Sequence, residues 1–492
     1  MKLLKALAIA MTIILAQSAM AQTVNISFEP QAKGLAKYRR QTFVGSDGNC
    51  AVFMQNKGTM SFKMELASYD MQQNELARVA FCKTKIDGIT PLVNIEKAMV
   101  NGNRLDLLLS SEKEHVLTVY HERRDMATLQ VIGENKLLAR IEGEDGDQFY
   151  TFSAVSPNGK LVGLAIVRLT KLQEATVRAS LYSQELNEYW SMSVPVHSFN
   201  QILVTDEGEI VLARVNEEEQ RGTVSMSVTD GETSEKYTFN YNTNGFMINN
   251  SLGRYADGKL LVVATLSATT GRKLTGGSNI DCVDAITFDT KTGSASIDRR
   301  RFTNEELCLM ENKEGTTTNS QYMFYGTLEQ VLPDSEGAFV IIDNKWDTYN
   351  TSQYGSSLSY RTRRGMMVLR IGKDGRFEWA NTRRSRSRVG ALYTNWGDYR
   401  WQYTPNGIML ARTTSKNDVG KQSNVPVDEI VAFSDANLTV LCIDRKGNTT
   451  ETHFDIGKQS LLDCAWPLQD GSWLVFVSEK KKGAFGKLSI EF

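Results

Sequence analysis

A short phrase that recurs along the chain restricts its fold more than any other feature. Each copy is a polar turn that ends in glycine and leads into an apolar run, as in Asp47-Gly48 before residues 50–53. Asn-Gly and Asp-Gly steps accept the positive φ of a tight turn, and a run that is apolar on both faces suits a strand buried on both sides. The glycines of the eight copies are Gly48, Gly102, Gly159, Gly208, Gly258, Gly337, Gly407 and Gly471.

The spacing of these glycines predicts the size of the repeating unit. Successive copies are 54, 57, 49, 50, 79, 70 and 64 residues apart. A four-stranded antiparallel sheet with ordinary loops, the blade of a β-propeller, takes about 40 to 60 residues. Eight copies predict eight blades, or seven if the first copy belongs to a blade that the C-terminus completes. The longest intervals predict insertions between Gly258 and Gly471, and two stacked or tandem β domains are the alternative.

Within each unit the pattern is that of short strands. Residues 61–66 and 175–181 alternate apolar and polar side chains with a period of two, which is typical of a strand with one face turned inward. Residues 303–309 are the exception and predict a short helical turn. Ring closure is predicted to pair residues 24–28 with residues 488–492, because a closed ring leaves no exposed sheet edge.

A second, weaker phrase lies inside several units. It occurs at residues 288–293, 371–375 and 443–447, and each copy places a polar turn with glycine after an apolar residue. These turns predict the hairpins that join the outer strands of a blade.

One copy of the first phrase, Ser156-Pro157-Asn158-Gly159-Lys160, resembles the phrase that opens blades in TolB-like and WD-repeat propellers, and residues 403–407 are a looser copy. The Trp-Asp pair that ends WD repeats is missing. The resemblance to the β-propeller repeat superfamily implies an all-β disc of radial four-stranded antiparallel sheets around a channel. It implies no particular chemistry.

The first residues have the three parts of a secretory signal peptide. Lys2 and Lys5 form a basic start, residues 6–16 are nearly all apolar, and Ala19-Met20-Ala21 is a small-x-small cleavage site. The apolar run is shorter than the roughly 20 residues that span a bilayer. We therefore expect a signal peptide over residues 1–21 and an exported protein, periplasmic or extracellular, whose residues 22–492 form a single propeller domain without a membrane span.

Six cysteines form three pairs that are local in sequence. Short strands can bring such neighbours together, and an oxidising compartment favours disulfides. Fifteen pairings are possible for six cysteines, and six buried thiols are the alternative. The predicted bridges are Cys50–Cys82, Cys282–Cys308 and Cys442–Cys464.

Charge and motifs narrow the possible functions. Without Lys2 and Lys5 the chain has 54 basic and 57 acidic residues, and this balance, together with export, argues against nucleic acid as a partner. The sequence contains neither a Gly-x-Ser-x-Gly elbow, nor HExxH, nor a phosphate loop. We therefore predict no metal and no cofactor, and the sequence assigns no catalytic residue.

A basic segment flanked by aromatics is the candidate recognition surface. Residues 361–388 contain nine arginines and one lysine against two acids, and arginine suits carboxylate, sulfate or phosphate groups. Residues 344–360 predict an exposed polar and aromatic loop. The alternative is a solvated outer strand whose arginines pair with acids. The candidate ligand-binding residues are Trp346, Tyr349, Tyr360, Arg384, Arg386, Arg388, Trp396 and Trp401.

These features predict a non-catalytic binding or scaffolding propeller of the cell envelope that recognises a glycan, a peptide or a partner protein. A secreted propeller hydrolase or lyase is the alternative, and a sensor or chaperone-like module is a third. Two carboxylates about 5 to 10 Å apart at the channel mouth would favour the hydrolase.

Overall fold

The structure is a computed structural model, and it describes residues 25–30, 40–56, 64–70, 74–81, 93–172, 174–194, 201–216, 223–233, 237–242, 246–256, 258–267, 278–289, 291–312, 324–351, 357–390, 399–418, 436–454, 460–467, 473–479 and 482–491. These residues form eight antiparallel sheets, of which seven have four strands and one has five. The fold is the predicted β-propeller.

The first four sheets follow one another along the chain. Sheet 1 contains β2 (Arg40–Ser46), β3 (Cys50–Asn56), β4 (Met64–Asp70) and β5 (Glu75–Ala80). Sheet 2 contains β6 (Val93–Asn101), β7 (Arg104–Lys113), β8 (Val116–Asp125) and β9 (Lys136–Glu142). Sheet 3 contains β10 (Gln148–Val155), β11 (Leu161–Leu169), β12 (Ala175–Ser183) and β13 (Glu188–Val194). Sheet 4 contains β14 (Gln201–Val204), β15 (Ile210–Asn216), β16 (Thr223–Thr229) and β17 (Tyr237–Asn242).

The other four sheets include the larger units. Sheet 5 contains β18 (Met247–Ala256), β19 (Lys259–Ser267), β21 (Cys282–Asp289) and β22 (Ala295–Arg301). Sheet 6 contains β20 (Ser278–Ile280), β23 (Phe324–Asp334), β24 (Gly337–Thr351), β25 (Ser357–Gly372) and β26 (Phe377–Gly390). Sheet 7 contains β27 (Arg400–Thr404), β28 (Gly407–Ser415), β29 (Ala436–Asp444) and β30 (Thr449–Phe454). Sheet 8 contains β31 (Ser460–Pro467), β32 (Trp473–Glu479), β33 (Lys482–Glu491) and β1 (Asn25–Pro30).

Each described copy of the recurring phrase lies where the sequence predicts a turn. The seven copies whose glycine the structure describes lie at the junction of the first and second strands of a sheet, taking β23 and β24 as those of sheet 6, and Gly471 lies outside the described residues. The second strands are the most buried, and the described side chains of β7 are buried from Leu105 to Ser111. Gly407 has a different reason to be glycine, because a Cβ there would lie 2.0 Å from the Ile443 carbonyl oxygen.

The second phrase and the ring closure are also confirmed. Residues 288–293, 371–375 and 443–447 join the third and fourth strands of sheets 5, 6 and 7. The N-terminal strand β1 pairs antiparallel with β33, and Phe28 is opposite Leu488. The last sheet is therefore completed by the strand that precedes the first sheet.

The core consists of apolar layers between successive sheets. Leu107 of sheet 2 packs with Val52 of sheet 1 in one layer, and Val211 of sheet 4 packs with Val262 of sheet 5 in another. Such packing buries both faces of the middle strands, which is why their apolar runs are continuous rather than alternating.

The helix α1 (Asn304–Met310) lies between sheets 5 and 6 in the chain, at the predicted helical turn. Thr303 and Glu306 form a reciprocal capping box at its start. Leu307 and Met310 pack into the layer between sheets 5 and 6. In the described part of the chain, the helical segments are too short or too polar to cross a membrane.

Sheet 6 departs most from the regular unit. Its strands β24, β25 and β26 have 15, 16 and 14 residues, and their pairing continues to Thr351 opposite Ser357. The predicted exposed loop over residues 344–360 is therefore wrong, because its described residues lengthen two paired strands. Asn, Ser, Thr and Tyr are as compatible with a solvated strand as with a loop.

The disulfide predictions also require correction. Cys282 is a free thiol, so the Cys282–Cys308 bridge is absent. Cys282 packs between sheets 4 and 5, whereas Cys308 is carried by α1, whose neighbouring apolar residues pack on the opposite side of sheet 5. Cys50 and Cys442 are free as well. Cys82 and the side chain of Cys464 lie outside the described residues.

Candidate functional site

A cavity of about 860 Å³ opens on the axis of the ring, where the first strands of six successive sheets end. The recurring turns surround this end, and Pro157 and Ser335 reach the cavity from two of them. The other residues that line it are Lys97, Phe152, Ser153, Ala154, Val155, Gln201, Ile202, Leu203, Val204, Arg254, Tyr255, Pro333, Asp334 and Tyr403.

Two half-buried cations line this central cavity. Lys97 comes from β6 and Arg254 from β18, and neither forms an ion pair with a described residue. Arg254 donates one hydrogen bond, from Nη1 to the Gly253 carbonyl oxygen at 2.9 Å. Burial lowers the pKa of both groups, and the charge of Arg254 lowers that of Lys97 further. The two charges therefore repel each other, and no described residue pairs with either of them.

Close packing of two inner strands sets the position of Arg254. The backbone N–H of Gly253 donates to Gln201 Oε1 of the preceding sheet at 2.6 Å. A Cβ at position 253 would lie 2.9 Å from Leu203 Cδ1. Glycine at this position lets β18 approach β14, and the next residue of β18 then lines the cavity.

Two tyrosines form part of the wall with their hydroxyl groups engaged. Tyr255 donates to Glu207 Oε2 at 2.9 Å, and Tyr403 donates to the Pro333 carbonyl oxygen at 2.6 Å. Burial, followed by the charge of Asp334, raises the pKa of Tyr403 to about 12. Tyr403 is therefore neutral at physiological pH and does not cancel the positive charge of the cavity.

Asp334 is the one carboxylate among the described residues that line the cavity, and its charge is already compensated. Arg370 donates to its two oxygens at 2.9 and 3.1 Å, and Arg445 of sheet 7 donates at 2.9 Å. Burial alone would raise the pKa of Asp334, but these hydrogen bonds outweigh it and lower the pKa. Asp334 thus joins sheets 6 and 7 and leaves Lys97 and Arg254 uncompensated.

The chemistry available in the cavity is that of anion binding. Among the described lining residues there is no second carboxylate to complete a hydrolytic pair. The part of the chain that the structure describes also has no group of three or more metal-ligating side chains. Guanidinium and ammonium groups beside aromatic and hydroxyl-bearing walls suit a ligand with a carboxylate, sulfate or phosphate group.

The predicted ligand-binding residues lie elsewhere, and the structure brings only some of them together. In sheet 6 the backbone of Thr362 pairs with Trp346 on one side and with Arg388 on the other. Tyr349 and Tyr360 belong to the same lengthened strands. The structure describes the backbone of these two tyrosines, of Trp346 and of Arg388, but not their side chains. Trp396 lies outside the described residues altogether.

Arg384 and Trp401 contact other elements of the fold. Arg384 is buried and donates to the Cys308 carbonyl oxygen of α1 at 3.4 Å, whereas Arg386 is exposed. The pairing of β25 with β26 shifts register between Arg363, which is opposite Ser387, and Gly365, which is opposite Arg384. The two arginines of β26 therefore do not lie in a regular alternation on one face of the strand. Trp401 packs against the apolar layer between sheets 6 and 7.

The sequence analysis did not identify Lys97 and Arg254, although the position of a residue relative to the recurring glycines indicates whether it lines the cavity. Five lining residues stand exactly four positions before a recurring glycine, because the inner strand leads directly into that turn. They are Val155, Val204, Arg254, Pro333 and Tyr403.

No family model matches the chain, and no curated protein matches it. Among solved structures it is similar to the WD40 domain of SCAP from fission yeast, with 9% identity, a TM-score of 0.38, and coverage of 95% of this chain and 94% of that chain. It is similar to prolyl oligopeptidase B from Galerina marginata, with 10% identity, a TM-score of 0.38, and coverage of 94% of this chain and 56% of the enzyme. It is also similar to the β-propeller domain of the Trilobed protease from Pyrococcus furiosus, with 10% identity, a TM-score of 0.35, and coverage of 81% and 97%. Likeness at this level says nothing about the ligand of this chain.

Proposed function

We propose that this protein is an exported, non-catalytic binding propeller of the cell envelope whose central cavity holds the anionic part of a small ligand. The carrying observation is the pair Lys97 and Arg254, two half-buried cations that line one cavity and form no ion pair with a described residue. Removing a charge from water without a partner is costly, and an anionic ligand offsets that cost. Export is supported by the signal-peptide features of residues 1–21.

The size of the cavity favours a small molecule or the end of a chain. Ligand pockets usually measure about 300 to 1,000 Å³, and the cavity, at about 860 Å³, falls within this range. A partner protein would need a broad surface instead. The lengthened strands of sheet 6, which carry Trp346 and Arg388, stay the recognition surface that the sequence predicts.

Binding without catalysis is favoured over hydrolysis by the carboxylates at the site. A glycosidase uses two carboxyl groups about 5 to 10 Å apart, whereas Asp334 alone lines the described cavity and is held by two arginines. The proposed role therefore needs Lys97 and Arg254 for affinity and needs no acid–base pair.

Calorimetric titration of the mature protein with D-galacturonic acid, and with neutral galactose as the reference ligand, tests the proposal. We expect galacturonic acid to bind at least tenfold more tightly than galactose. Lys97→Met and Arg254→Met should each weaken binding by about ten- to a hundredfold, since hydrogen bonds to charged groups contribute roughly 1.5 to 3 kcal/mol each.

Lys171→Met is the matched control, because Lys171 is exposed in a turn outside the cavity. Its affinity should equal that of the wild type. Recovery of unchanged ligand after the titration would support binding without catalysis. Wild-type affinity in both cavity variants would contradict the proposal, and so would equal binding of the two sugars. N-terminal sequencing of the exported protein is expected to start at Gln22.

A further inference from the structure

A narrow cleft continues the central cavity outwards between sheets 5 and 6. Its volume is about 90 Å³, and it shares Arg254, Pro333, Asp334 and Ser335 with the cavity. Since Arg254 lines both spaces, a ligand group bound beside it in the cavity lies at the entrance of the cleft.

Two exposed lysines stand on the opposite walls of this cleft. Lys259 begins β19 of sheet 5, and Lys373 lies in the hairpin between β25 and β26 of sheet 6. Neither forms an ion pair with a described residue, although Lys259 lies opposite Asp289 in the sheet and, in addition to backbone hydrogen bonds, its charge contributes to lowering the pKa of that carboxyl. Lys97, Arg254 and the two lysines therefore form a basic path from the axis of the ring towards its outside.

The cleft is too narrow for a ring or a bulky side chain. A Cβ at Gly375 of one wall would lie 2.5 Å from Thr287 Oγ1 of the other wall. The cleft's volume of about 90 Å³ is about a tenth of that of the cavity. It can hold a single anionic substituent that projects from a larger ligand in the cavity.

We infer that the ligand is an acidic oligosaccharide with carboxylates on successive sugars, one held by Lys97 and Arg254 in the cavity and the next by Lys259 and Lys373 in the cleft. This inference rests on the function proposed above. The ring of Tyr403, which is 42% exposed, lies in the cavity wall and can pack against the C–H side of a pyranose ring. Polar groups of Ser153, Gln201 and Ser335 offer partners for sugar hydroxyls.

An acidic peptide fits the same cavity less well. An extended peptide needs partners for its backbone N–H and C=O groups, and proteins usually supply them from the edge of one strand. The cavity wall instead collects strand ends and turns from six sheets, so one strand edge does not run along it. A sugar chain has no backbone ladder to satisfy.

The test compares D-galacturonic acid with di- and trigalacturonate by calorimetric titration, with maltotriose as a neutral chain and tri-glutamate as an acidic peptide. We expect the di- and trimer to bind wild-type protein at least tenfold more tightly than the monomer. The double variant Lys259→Met/Lys373→Met should keep the monomer affinity and lose this gain. Lys291→Met is the control, since this lysine lies near Gly258 but does not line the cleft.

The outcomes separate the two proposals. If none of the galacturonates binds, the proposed function fails and this inference fails with it. If the monomer binds but longer chains gain nothing, or if the double variant keeps the gain, the inference alone is overturned. Tighter binding of tri-glutamate than of trigalacturonate also overturns it in favour of a peptide.

Discussion

Asp106 shows how a buried carboxylate can orient an arginine that joins two sheets of the ring. It is fully buried and accepts hydrogen bonds from His121 Nε2 and Arg123 Nε, each at 2.7 Å. Arg123 also reaches Glu185 of sheet 3 at 2.5 Å, and Arg104 reaches the same carboxylate at 2.9 Å. The buried carboxylate thus orients an arginine that crosses to the next sheet.

Replacing Asp106 by asparagine should destabilise the protein by about 3 kcal/mol, because removing one member of a buried ion pair leaves the other charge uncompensated. Urea unfolding measures this change, and Asp145→Asn, at an exposed carboxylate, should leave the curve unchanged. A loss below about 1 kcal/mol for Asp106→Asn would contradict the role of Asp106.

The pH dependence of this difference follows from the same contacts. Burial alone would raise the pKa of Asp106, but the hydrogen bonds from His121 and Arg123 outweigh it and lower the pKa to about 2. A depressed carboxyl pKa stabilises the fold above the unfolded value of about 3.9 and loses this contribution as the pH falls through the folded value. The gap between wild type and Asp106→Asn should therefore shrink between pH 4 and pH 2.

At the scale of elements, the sequence is sufficient to predict the first turn of every sheet but not the length of every strand. The turns are local, because glycine and asparagine set the backbone angles by themselves. The lengthened strands of sheet 6 are not local, since their register depends on which chain segments meet. Arg384 illustrates the consequence: the sequence predicts a ligand-binding arginine, and only the structure shows that it also donates to the Cys308 carbonyl oxygen of α1.

The contact between α1 and sheet 6 depends on Gly365 of β25. A Cβ at this position would lie 2.6 Å from Met310 Cα and 2.7 Å from the Met310 carbonyl oxygen. Because the obstacle is backbone, Gly365→Ala must displace the helix, and we expect a loss of about 2 kcal/mol in unfolding free energy, which is typical of overpacking.

Gly45→Ala is the comparison for this variant. Its Cβ would lie 2.5 Å from Val100 Cγ2, which is a side-chain atom, and a side chain can shift without displacing a helix. Chemical denaturation should show a smaller loss for Gly45→Ala than for Gly365→Ala. Equal losses would mean that α1 yields as readily as a side chain does.

At the scale of the whole molecule, the ring creates the candidate site. Lys97 and Arg254 belong to sheets 2 and 5 and share a cavity only because the first strands of successive sheets converge on one axis. The sequence predicts the ring and, through the recurring glycines, several of the positions that face the axis. It cannot predict that no described residue forms an ion pair with these two cations, because this property depends on every other residue that reaches the axis.

The closing pair of strands provides the last prediction. Residues 25–30 of β1 pair with residues 486–491 of β33 along their whole length, so deletion of residues 22–30 leaves β33 as an open edge. We expect the melting temperature to fall by several degrees relative to the chain that starts at Gln22, and the open edge to promote self-association. Calorimetry and sedimentation measure the two effects. A truncated chain that melts and sediments like the longer one would show that the stability of the ring does not depend on this pairing. A lower melting temperature together with self-association would show that the pairing of β1 with β33 both stabilises the ring and covers its edge.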